Sequence, residues 1–339
     1  MSIRSSLKNG FSFFFRSLYS GRGTILMFHR ILANDGRPRV HTKALEVEPR
    51  SLEDFITFFK QRKYDFIRMD EVLDYIKKPR SSKFVVFTFD DGFEDNYTQA
   101  LPLFESFGIP FTIYITTDMP DGKRILWNYI LEDIILENEQ IELGHKNWSL
   151  KSSIIEQSEK ENVYNDIRRY LIDRPREERL QLLRDWFKLS DEDLFSKVKE
   201  HAMSWDQLKE ISKNPLVEIG AHTITHPSLK SLNEREFQEE VIGSRQKLEE
   251  KLKIKIRHFA YPYGSVNEVG KRELELMKSM GFETAVTTRN GNVFKGHKSH
   301  LLALPRMFVG PNTKIEDIHD QVIGKRNFIS SSKSRIVTV

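Results

Sequence analysis

Short runs of apolar residues alternate along this 339-residue chain with segments whose apolar residues recur every three or four positions. The short runs are rich in β-branched and aromatic residues, which is typical of strands. They lie at 23–30, 64–69, 83–92, 109–118, 215–223, 256–264, 283–288 and 301–307. Amphipathic helices are predicted between several of them, at 51–63, 97–107, 233–252 and 268–282.

Strands that alternate with helices in this way predict parallel βα units. About seven or eight such units suit a closed or nearly closed barrel. We therefore expect an α/β fold, a distorted TIM-like (β/α)7-8 barrel over residues 23–322. Residues 121–212 interrupt the alternation with charged helical patterns and predict a helical insertion on one barrel loop. Because barrels of this kind carry their chemistry at the carboxyl ends of the strands, polar residues there are the functional candidates.

The two termini lie outside the alternating pattern. Residues 1–22 predict an amphipathic N-terminal segment, in which Arg16 interrupts the apolar character after the cluster FSFFF. Its Phe-rich face is compatible with peripheral contact with a membrane, although a helix that packs on the domain is the simpler explanation. Residues 323–339 are basic and Ser-rich and predict a flexible tail.

The composition is that of a soluble globular protein, with 39% hydrophobic and 30% charged residues. The net charge of +4 comes from 53 basic and 49 acidic residues, and their interleaving gives no reason to expect a nucleic-acid partner. No run approaches the roughly 20 apolar residues of a transmembrane segment. The chain has no cysteine, which excludes disulfides and thiolate metal sites. The sequence does not predict an oligomeric state.

Two acids, Asp90 and Asp91, follow directly after the apolar run KFVVFTF, and Gly92 comes next. Adjacent carboxylates at the end of a core strand reduce stability unless something uses them. Successive strand residues point to opposite faces, so a turn at Gly92 is needed to bring both acids to one pocket. A phosphatase motif with two Asp separated by one residue is excluded, because Gly92 occupies the second position.

Two histidines, His222 and His226, stand four residues apart in AHTITHPSL. On a helical turn this spacing places both imidazoles on one face, where they can bind a single metal ion. Two ordinary histidines explain the spacing as simply, and without Glu after His222 the HExxH protease arrangement is absent. Two histidines and one carboxylate, with positions open for water, form a hydrolytic metal environment. The Asp pair supplies that carboxylate and a second one to act as base.

Three motifs at strand ends resemble those of the polysaccharide deacetylase family, also called the NodB-homology family or carbohydrate esterase family 4. They are TFDDG at 88–92, HTITH at 222–226 and FAYPYG at 259–264. The resemblance covers roughly 23–119 and 213–310. It implies a distorted (β/α) barrel, a divalent metal that is usually zinc, and hydrolysis of N-acetyl groups on amino-sugar polymers.

The resemblance also implies roles for individual residues. Asp90 matches the general base of the family, and Tyr263 matches the position whose backbone N–H helps to hold the oxyanion. The implied metal ligands are Asp91, His222 and His226. A preorganised N–H that faces a developing charge is a physically sensible part of such a site.

This sequence departs from the family pattern at two positions. The third motif has Ala260 where the family commonly has an Arg that orients the base. The late Leu-x-His motif, whose His protonates the leaving amine, has no clear match. We predict that Arg306 in LALPRM takes the first role and that His29, at the end of the first strand, takes the second. The early His resembles the branch of the family that deacetylates biofilm poly-N-acetylglucosamine.

Other interpretations of these residues stay open at the level of sequence. Arg306 in a surface ion pair and His29 as an ordinary core histidine are the alternatives for the two roles. His297 and His300, in the loop-like stretch GHKSH, are weaker candidates for the acid. Because the first and last strands of a barrel are neighbours, a histidine from either can reach one pocket.

Aromatic residues near the motifs are the candidates for sugar binding, since sugars stack on aromatic rings. They are Trp127 in ILWNY, Tyr261 and Tyr263. A core position explains Trp127 equally well.

The sequence therefore predicts a metal-dependent carbohydrate N-deacetylase that acts on an N-acetylated glycan. Zn²⁺ is the first expectation for the metal, and Co²⁺, Ni²⁺ and Mn²⁺ also suit a His₂Asp site. The alternatives are a deacetylase of a lipid-linked sugar or an O-acetyl ester, and a barrel that binds glycan without hydrolysing it. Since the N-terminus is not a convincing signal peptide, we expect the cytoplasm or inner membrane face of a bacterium rather than secretion or the periplasm.

Overall fold

The computed structural model describes residues 19–78, 82–172, 174–325 and 336–339. Most of the predicted amphipathic segment and residues 326–335 of the predicted tail lie outside these ranges. The last four residues of the chain contact the rest of the domain. His297 Nε2 donates a hydrogen bond to the Val337 carbonyl at 3.1 Å, and Val339 packs against the main core.

The strands of the described residues form one large parallel sheet and two small ones. They are β1 (Gly23–Phe28), β2 (Arg30–Ile31), β3 (Glu46–Val47), β4 (Asp65–Phe66), β5 (Phe84–Phe89), β6 (Phe111–Ile115), β7 (Gln140–His145), β8 (Trp148–Ser153), β9 (Val217–Ala221), β10 (His258–Ala260), β11 (Thr284–Val286) and β12 (Met307–Phe308). The large sheet has eight strands in the order β11-β10-β9-β6-β5-β1-β12, with β4 paired to β5. Each predicted strand segment overlaps one of its strands.

The sheet is curled so that its two edge strands, β11 and β12, approach each other. Val286, at the end of β11, forms a parallel bridge with Leu304, just before β12. Helices connect the strands, and the predicted fold class, a distorted TIM-like barrel, is confirmed. The helices of the described residues are Pro49–Gln61, Val72–Lys77, Leu101–Phe107, Trp127–Glu137, Gln157–Ile172, Arg176–Phe187, Asp191–His201, Trp205–Ile211, Glu234–Leu252, Lys271–Lys278 and Ile315–Val322.

Alternation along the strands divides the core into two layers. In β5, Phe87 and Phe89 belong to the large buried cluster, which includes residues of several helices, whereas Val86 belongs to a separate, smaller buried cluster. Successive strand residues face opposite sides of a sheet. The same alternation therefore directs Thr88 and Asp90 to the inner face of the barrel.

The segment between β6 and β9 leaves the barrel and carries its own buried apolar cluster, which includes Leu131, Ile141 and Tyr164. It is mainly helical, as predicted, but it also contains the antiparallel hairpin β7–β8. The sequence analysis missed this hairpin because β8, WSLKSS, carries few apolar residues. The helix Trp205–Ile211, inside the predicted insertion, packs its apolar residues into the main barrel core.

Within the described ranges, every helix is too short or too polar to cross a bilayer.

Candidate active site

The two adjacent acids lie where β5 ends. Asp90 is 2% exposed and faces the barrel interior. Asp91 adopts a left-handed backbone conformation with φ 77°, and Gly92 follows with φ 90°. The turn thus begins one residue earlier than the predicted turn at Gly92, and it directs the second carboxylate into the same pocket. The φ of 90° favours glycine at position 92, and a Cβ there would lie 3.0 Å from Ile115 Cδ1, so that the Ile115 side chain would have to shift.

Asp90 is held by a bidentate pair with Arg306. The distances are 2.7 Å from Nη1 to Oδ1 and 2.6 Å from Nη2 to Oδ2. Arg306 is 0% exposed and also donates to Thr88 Oγ1 and to the Thr287 carbonyl, both at 3.1 Å. Burial alone raises the pKa of Asp90, but the Arg306 guanidinium outweighs burial and holds that pKa at about 2. Asp90 is therefore ionised at neutral pH, and Arg306 stands where the sequence analysis placed it, facing the carboxylate rather than solvent.

The first histidine lies directly after β9 and is oriented by the neighbouring strand. His222 Nδ1 donates to the Ala260 carbonyl at 2.7 Å. This hydrogen bond fixes the tautomer and leaves the Nε2 lone pair facing Asp91. The distance from Nε2 to Asp91 Oδ1 is 3.7 Å. His226 Nε2 lies 3.4 Å from the same oxygen.

The loop between the two histidines is not a helical turn, the geometry in which the sequence analysis considered their spacing. Thr223 and His226 have positive φ values of 66° and 61°, which turn the chain back on itself. Glu240, on the helix Glu234–Leu252, accepts the N–H groups of Ile224 at 2.8 Å and Thr225 at 2.9 Å. The loop is therefore built from left-handed residues and a carboxylate brace, and it brings both imidazoles to one point.

The three side chains fit a divalent metal ion. Their ligand atoms lie within 4.8 Å of one another, and the set is Asp91, His222 and His226. Burial lowers the pKa of both histidines, which favours the neutral imidazoles that a metal requires. Two imidazoles and one carboxylate are ligands that suit Zn²⁺ and leave room for water.

His29 lies beside this cluster, directly after β1. Its carbonyl accepts a hydrogen bond from Asn96 Nδ2 at 2.8 Å. Its ring lies 6.0 Å from the Phe308 ring, and its buried Nδ1 has no hydrogen-bond partner among the described residues. His29 is close enough to both Asp90 and His226 to affect their pKa values electrostatically. The structure thus brings a histidine that follows the first strand close to Asp90 and His226.

The later histidine His297 is placed elsewhere. It is fully buried, its Nδ1 accepts the Phe294 N–H at 2.8 Å, and its Nε2 is bonded to the C-terminal residues. This ring is therefore committed to holding a loop and is not available as an acid.

The family assignment rests on a family model, described as polysaccharide deacetylase, that matches residues 77–171 and 193–285. The chain belongs to the polysaccharide deacetylase family. It is a hydrolase that acts on carbon–nitrogen bonds, and the deacetylases of this family act on N-acetylated glycans and depend on a metal.

Two curated relatives show the same family at low identity. A Bacillus subtilis protein named as a polysaccharide deacetylase, YxkH, is 23% identical over 290 residues, which cover 85% of this chain and 71% of the relative. The poly-β-1,6-N-acetyl-D-glucosamine N-deacetylase of Escherichia coli is 20% identical over 311 residues. That match covers 82% of this chain but 36% of the relative, so the chain spans about a third of that protein.

Two solved structures share the fold of this deacetylase. The Streptococcus pyogenes deacetylase PplD, in complex with acetate, has a TM-score of 0.57 at 17% identity and covers 88% of this chain and 97% of its own. IcaB from Ammonifex degensii has a TM-score of 0.56 at 19% identity and covers 89% of this chain and 97% of its own.

Two of the three aromatic candidates of this deacetylase line a cavity of about 680 Å³ beside the histidines, namely Trp127 and Tyr263. Tyr263 is 51% exposed, and its ring lies 4.9 Å from the His226 ring. Tyr261 is not in the pocket. It is 1% exposed, packs on Phe259, and donates its hydroxyl to the Leu302 carbonyl at 3.0 Å. Strand alternation turns the Tyr261 ring away from the barrel interior and into the large buried cluster.

A second cluster of ionisable side chains in the deacetylase lies at the opposite end of the barrel. Its members are Asp70, Glu218 and His258. Glu218 and His258 stand at the beginnings of β9 and β10, whereas the catalytic candidates stand after the strand ends. The Arg257 guanidinium, 3.3 Å from Asp70, already supplies a cation there. We interpret this cluster as a structural ion-pair network.

Several supporting residues escaped the sequence analysis. Glu240 braces the histidine loop, Asn96 holds the His29 backbone, and the Ala260 carbonyl orients His222. Glu240 and Asn96 carry no motif, and a backbone carbonyl carries no sequence signal at all. Only the packing of distant elements identifies such partners.

Proposed function

We propose that this chain is a metal-dependent N-deacetylase of amino sugars in a glycan, with Zn²⁺ as the metal. The observation that carries the proposal is the separation of the two adjacent acids. Asp91 faces the two imidazoles, whereas Asp90 is paired with Arg306 and stays out of the ligand set. One carboxylate is thus placed to hold a metal ion and the other to accept a proton.

The chemistry follows from the residues around this point. A divalent metal held by Asp91, His222 and His226 supplies Lewis acidity toward the substrate carbonyl and makes water more acidic. Asp90 accepts the proton of the attacking water. The backbone N–H of Tyr263, for which the described residues provide no acceptor, donates to the oxygen on which negative charge develops. His29 donates a proton to the amine nitrogen as the C–N bond breaks, which leaves acetate and a free amino sugar.

The substrate we propose is a polymeric or oligomeric glycan that contains N-acetylglucosamine. The E. coli relative is named for such a polymer, and two aromatic side chains, Trp127 and Tyr263, line the cavity beside the site. Aromatic faces of this kind suit a sugar ring.

Metal content tests whether Asp91 is a metal ligand and Asp90 is not. Wild type, Asp90→Asn and Asp91→Asn are purified without added metal, supplied with Zn²⁺, and analysed by elemental mass spectrometry. We expect about one metal per chain in wild type and Asp90→Asn, and little in Asp91→Asn, because a His₂Asp site that loses its carboxylate binds zinc weakly. Acetate release from N-acetylglucosamine oligomers is expected in wild type alone. Absence of metal from all three proteins would contradict the proposal.

The role of His29 is tested by substitution with Ala. We expect the metal content to stay the same and kcat to fall by roughly 10²- to 10⁴-fold, the usual contribution of a general acid. His300→Ala is the control, since His300 lies in the loop that the alternative hypothesis favoured. An unchanged rate in His29→Ala together with a large loss in His300→Ala would move the acid to the later histidine.

A further inference from the structure

The cavity beside the histidines is unusually rich in arginine. Its charged lining consists of Arg124, Arg174, Arg176, Arg179, Asp118 and Glu268, together with His226. Four guanidinium groups thus face two carboxylates in a cavity of about 680 Å³. A neutral polymer such as poly-N-acetylglucosamine gives no reason for this excess of positive charge.

Two of the four arginines have structural partners. Arg124 donates to the Thr225 carbonyl and so helps to hold the histidine loop. Arg174 lies 3.4 Å above the centre of the Tyr170 ring, and its Nε lies 3.7 Å from Glu178. These contacts explain the two residues without any ligand.

The other two, Arg176 and Arg179, lie in the first turn of the helix Arg176–Phe187. Across the described ranges, neither forms a salt bridge or donates a side-chain hydrogen bond. The Arg179 guanidinium lies 5.1 Å from the centre of the Trp127 ring, and its Nε is buried without a partner. Burial lowers the pKa of Arg179, and this effect outweighs Tyr263 and Glu177, which raise that pKa, while the charges of Arg124 and Arg176 lower it further.

A solvated helix surface does not account for this arrangement. Arg176 is exposed and can satisfy its donors with water. Arg179 has its guanidinium against an indole ring and one donor buried, and unlike Arg174 it has no carbonyl or carboxylate partner among the described residues. Like charges that gather in a half-buried cleft reduce stability unless an anion neutralises them. The planar guanidinium fork binds phosphate and carboxylate groups through paired hydrogen bonds.

The arginines lie close to the reaction centre. Trp127 and Tyr263 share the cavity with them, and the Tyr263 ring lies 4.9 Å from the His226 ring. Arg179 is also near enough to Tyr263 to interact with it electrostatically. A group bound by Arg176 and Arg179 would therefore belong to the sugar that is deacetylated or to its immediate neighbour.

We infer that the substrate is an acidic glycan, in which an anionic group on or next to the N-acetylated sugar binds Arg176 and Arg179. The inference rests on the proposed function and names the class of its substrate. Phosphate and carboxylate share the required chemistry, and the two sources are a phosphorylated sugar and an acidic sugar.

Binding of three matched monosaccharides tests the inference without requiring turnover. Isothermal titration calorimetry compares N-acetylglucosamine, N-acetylglucosamine 1-phosphate and N-acetylmuramic acid on the zinc-loaded wild type. We expect at least one acidic sugar to bind tenfold or more tightly than the neutral one, with the preference reduced at high salt because ions screen the contact. The acidic sugar that binds more tightly identifies the source of the anion.

Variants of the cavity arginines test which residues cause the preference for acidic sugars. We expect Arg176→Gln/Arg179→Gln to lose the acidic preference and Arg169→Gln to keep it. Arg169 lies in the same insertion, is 76% exposed and pairs with Asp166 at 3.1 Å. The single variant Arg176→Gln, at an exposed position, is expected to lose part of the preference should the double variant fold poorly. Equal binding of neutral and acidic sugars by wild type, or a preference that survives in Arg176→Gln/Arg179→Gln, would overturn the inference.

Acetate release separates this inference from the proposed function. A wild type that deacetylates neutral oligomers and shows no acidic preference keeps its function and loses the acidic substrate. A wild type that prefers acidic sugars in binding but releases no acetate from neutral or acidic substrates retains the anion site and is not the proposed deacetylase.

Discussion

At the scale of single residues, Asp90 and Asp91 have different partners because the backbone changes conformation between them. Asp90 continues the inward alternation of β5 and meets Arg306 in the barrel interior. Asp91 has a φ of 77° and meets the two histidines instead. Two neighbours in sequence can therefore serve as base and as ligand without competing for the same position.

The Arg306–Asp90 pair predicts different outcomes for two substitutions. Arg306→Ala leaves a fully buried carboxylate without its partner, and we expect the free energy of unfolding to fall by about 3–5 kcal/mol. Arg306→Lys keeps the charge but loses the fork, so a smaller loss of stability and at least a tenfold loss of kcat are expected. Urea unfolding and acetate release measure the two effects.

The matched control for this pair is Arg257→Lys, because Arg257 also pairs with a carboxylate but is half-exposed and lies at the other end of the barrel. Its activity and stability should stay near those of wild type, as exposed ion pairs contribute little. Equal losses of stability and of kcat in Arg306→Lys and Arg257→Lys would show that the bidentate pair with Asp90 contributes no more than an exposed ion pair.

At the scale of elements, the site depends on two short irregular segments at strand ends. The turn at 90–92 and the loop at 222–226 together contain four residues with positive φ, namely Asp91, Gly92, Thr223 and His226. In a regular strand the adjacent side chains of Asp90 and Asp91 would point to opposite faces of the sheet. The strand ends place the acids and histidines near one another, and the residues with positive φ orient the candidate metal ligands toward one point.

Gly92 offers a test of the first segment. In Gly92→Ala the new Cβ meets Ile115 and the residue must keep a φ of 90°, so we expect a loss of about 1–3 kcal/mol in stability. Because the turn also carries Asp91, the affinity for Zn²⁺ should fall as well. Thermal unfolding and a competitive chelator titration report the two quantities.

Gly108→Ala is the control for backbone strain alone. Gly108 has a φ of 64°, but a Cβ added there would meet nothing within 4 Å. We expect this variant to lose stability through φ and to keep its zinc affinity. A zinc affinity in Gly92→Ala equal to that of Gly108→Ala would mean that the turn does not position the ligand.

At the scale of the whole molecule, the barrel separates a reactive end from a structural end. The carboxyl ends of the strands carry the acids and histidines of the candidate site. The amino ends carry Glu218, which accepts the Met69 N–H at 2.9 Å and the Thr112 hydroxyl at 3.0 Å and lies 3.3 Å from His258 Nε2. One carboxylate thus ties together several segments that are distant in sequence.

Glu218→Gln is expected to lower the free energy of unfolding of the barrel by about 1–3 kcal/mol, since it replaces a carboxylate that accepts hydrogen bonds from buried donors. The zinc content of the folded protein should not change, because the metal candidates lie at the other end. Chemical unfolding and elemental analysis provide the measurements. Glu283→Gln, a half-exposed partner of Arg257, is the control and should behave like wild type. A loss of zinc in folded Glu218→Gln would show that the two ends are coupled.

Periodicity predicted the strands of the barrel because each buried strand needs a short apolar run, and those runs survive in any tertiary context. The motif residues were likewise visible, since acids and histidines at strand ends stand out against the apolar pattern. The hairpin β7–β8 was missed because its strands are half-exposed and carry few apolar residues. The conformation of the loop at 222–226 was not predicted, because the spacing of two histidines does not reveal φ.

By itself, the sequence determined the parallel barrel and the chemical types present at its strand ends, because local periodicity and residue chemistry are properties of short segments. The tertiary structure decided which of these residues meet. It brought His29, which follows the first strand, and Arg306, which precedes the last strand, close to Asp90. It also buried the Tyr261 side chain in the core rather than in the candidate site. It also gathered arginines of the insertion beside His226. Such contacts join residues hundreds of positions apart, so they depend on the closure of the barrel and the docking of the insertion, which no local pattern encodes.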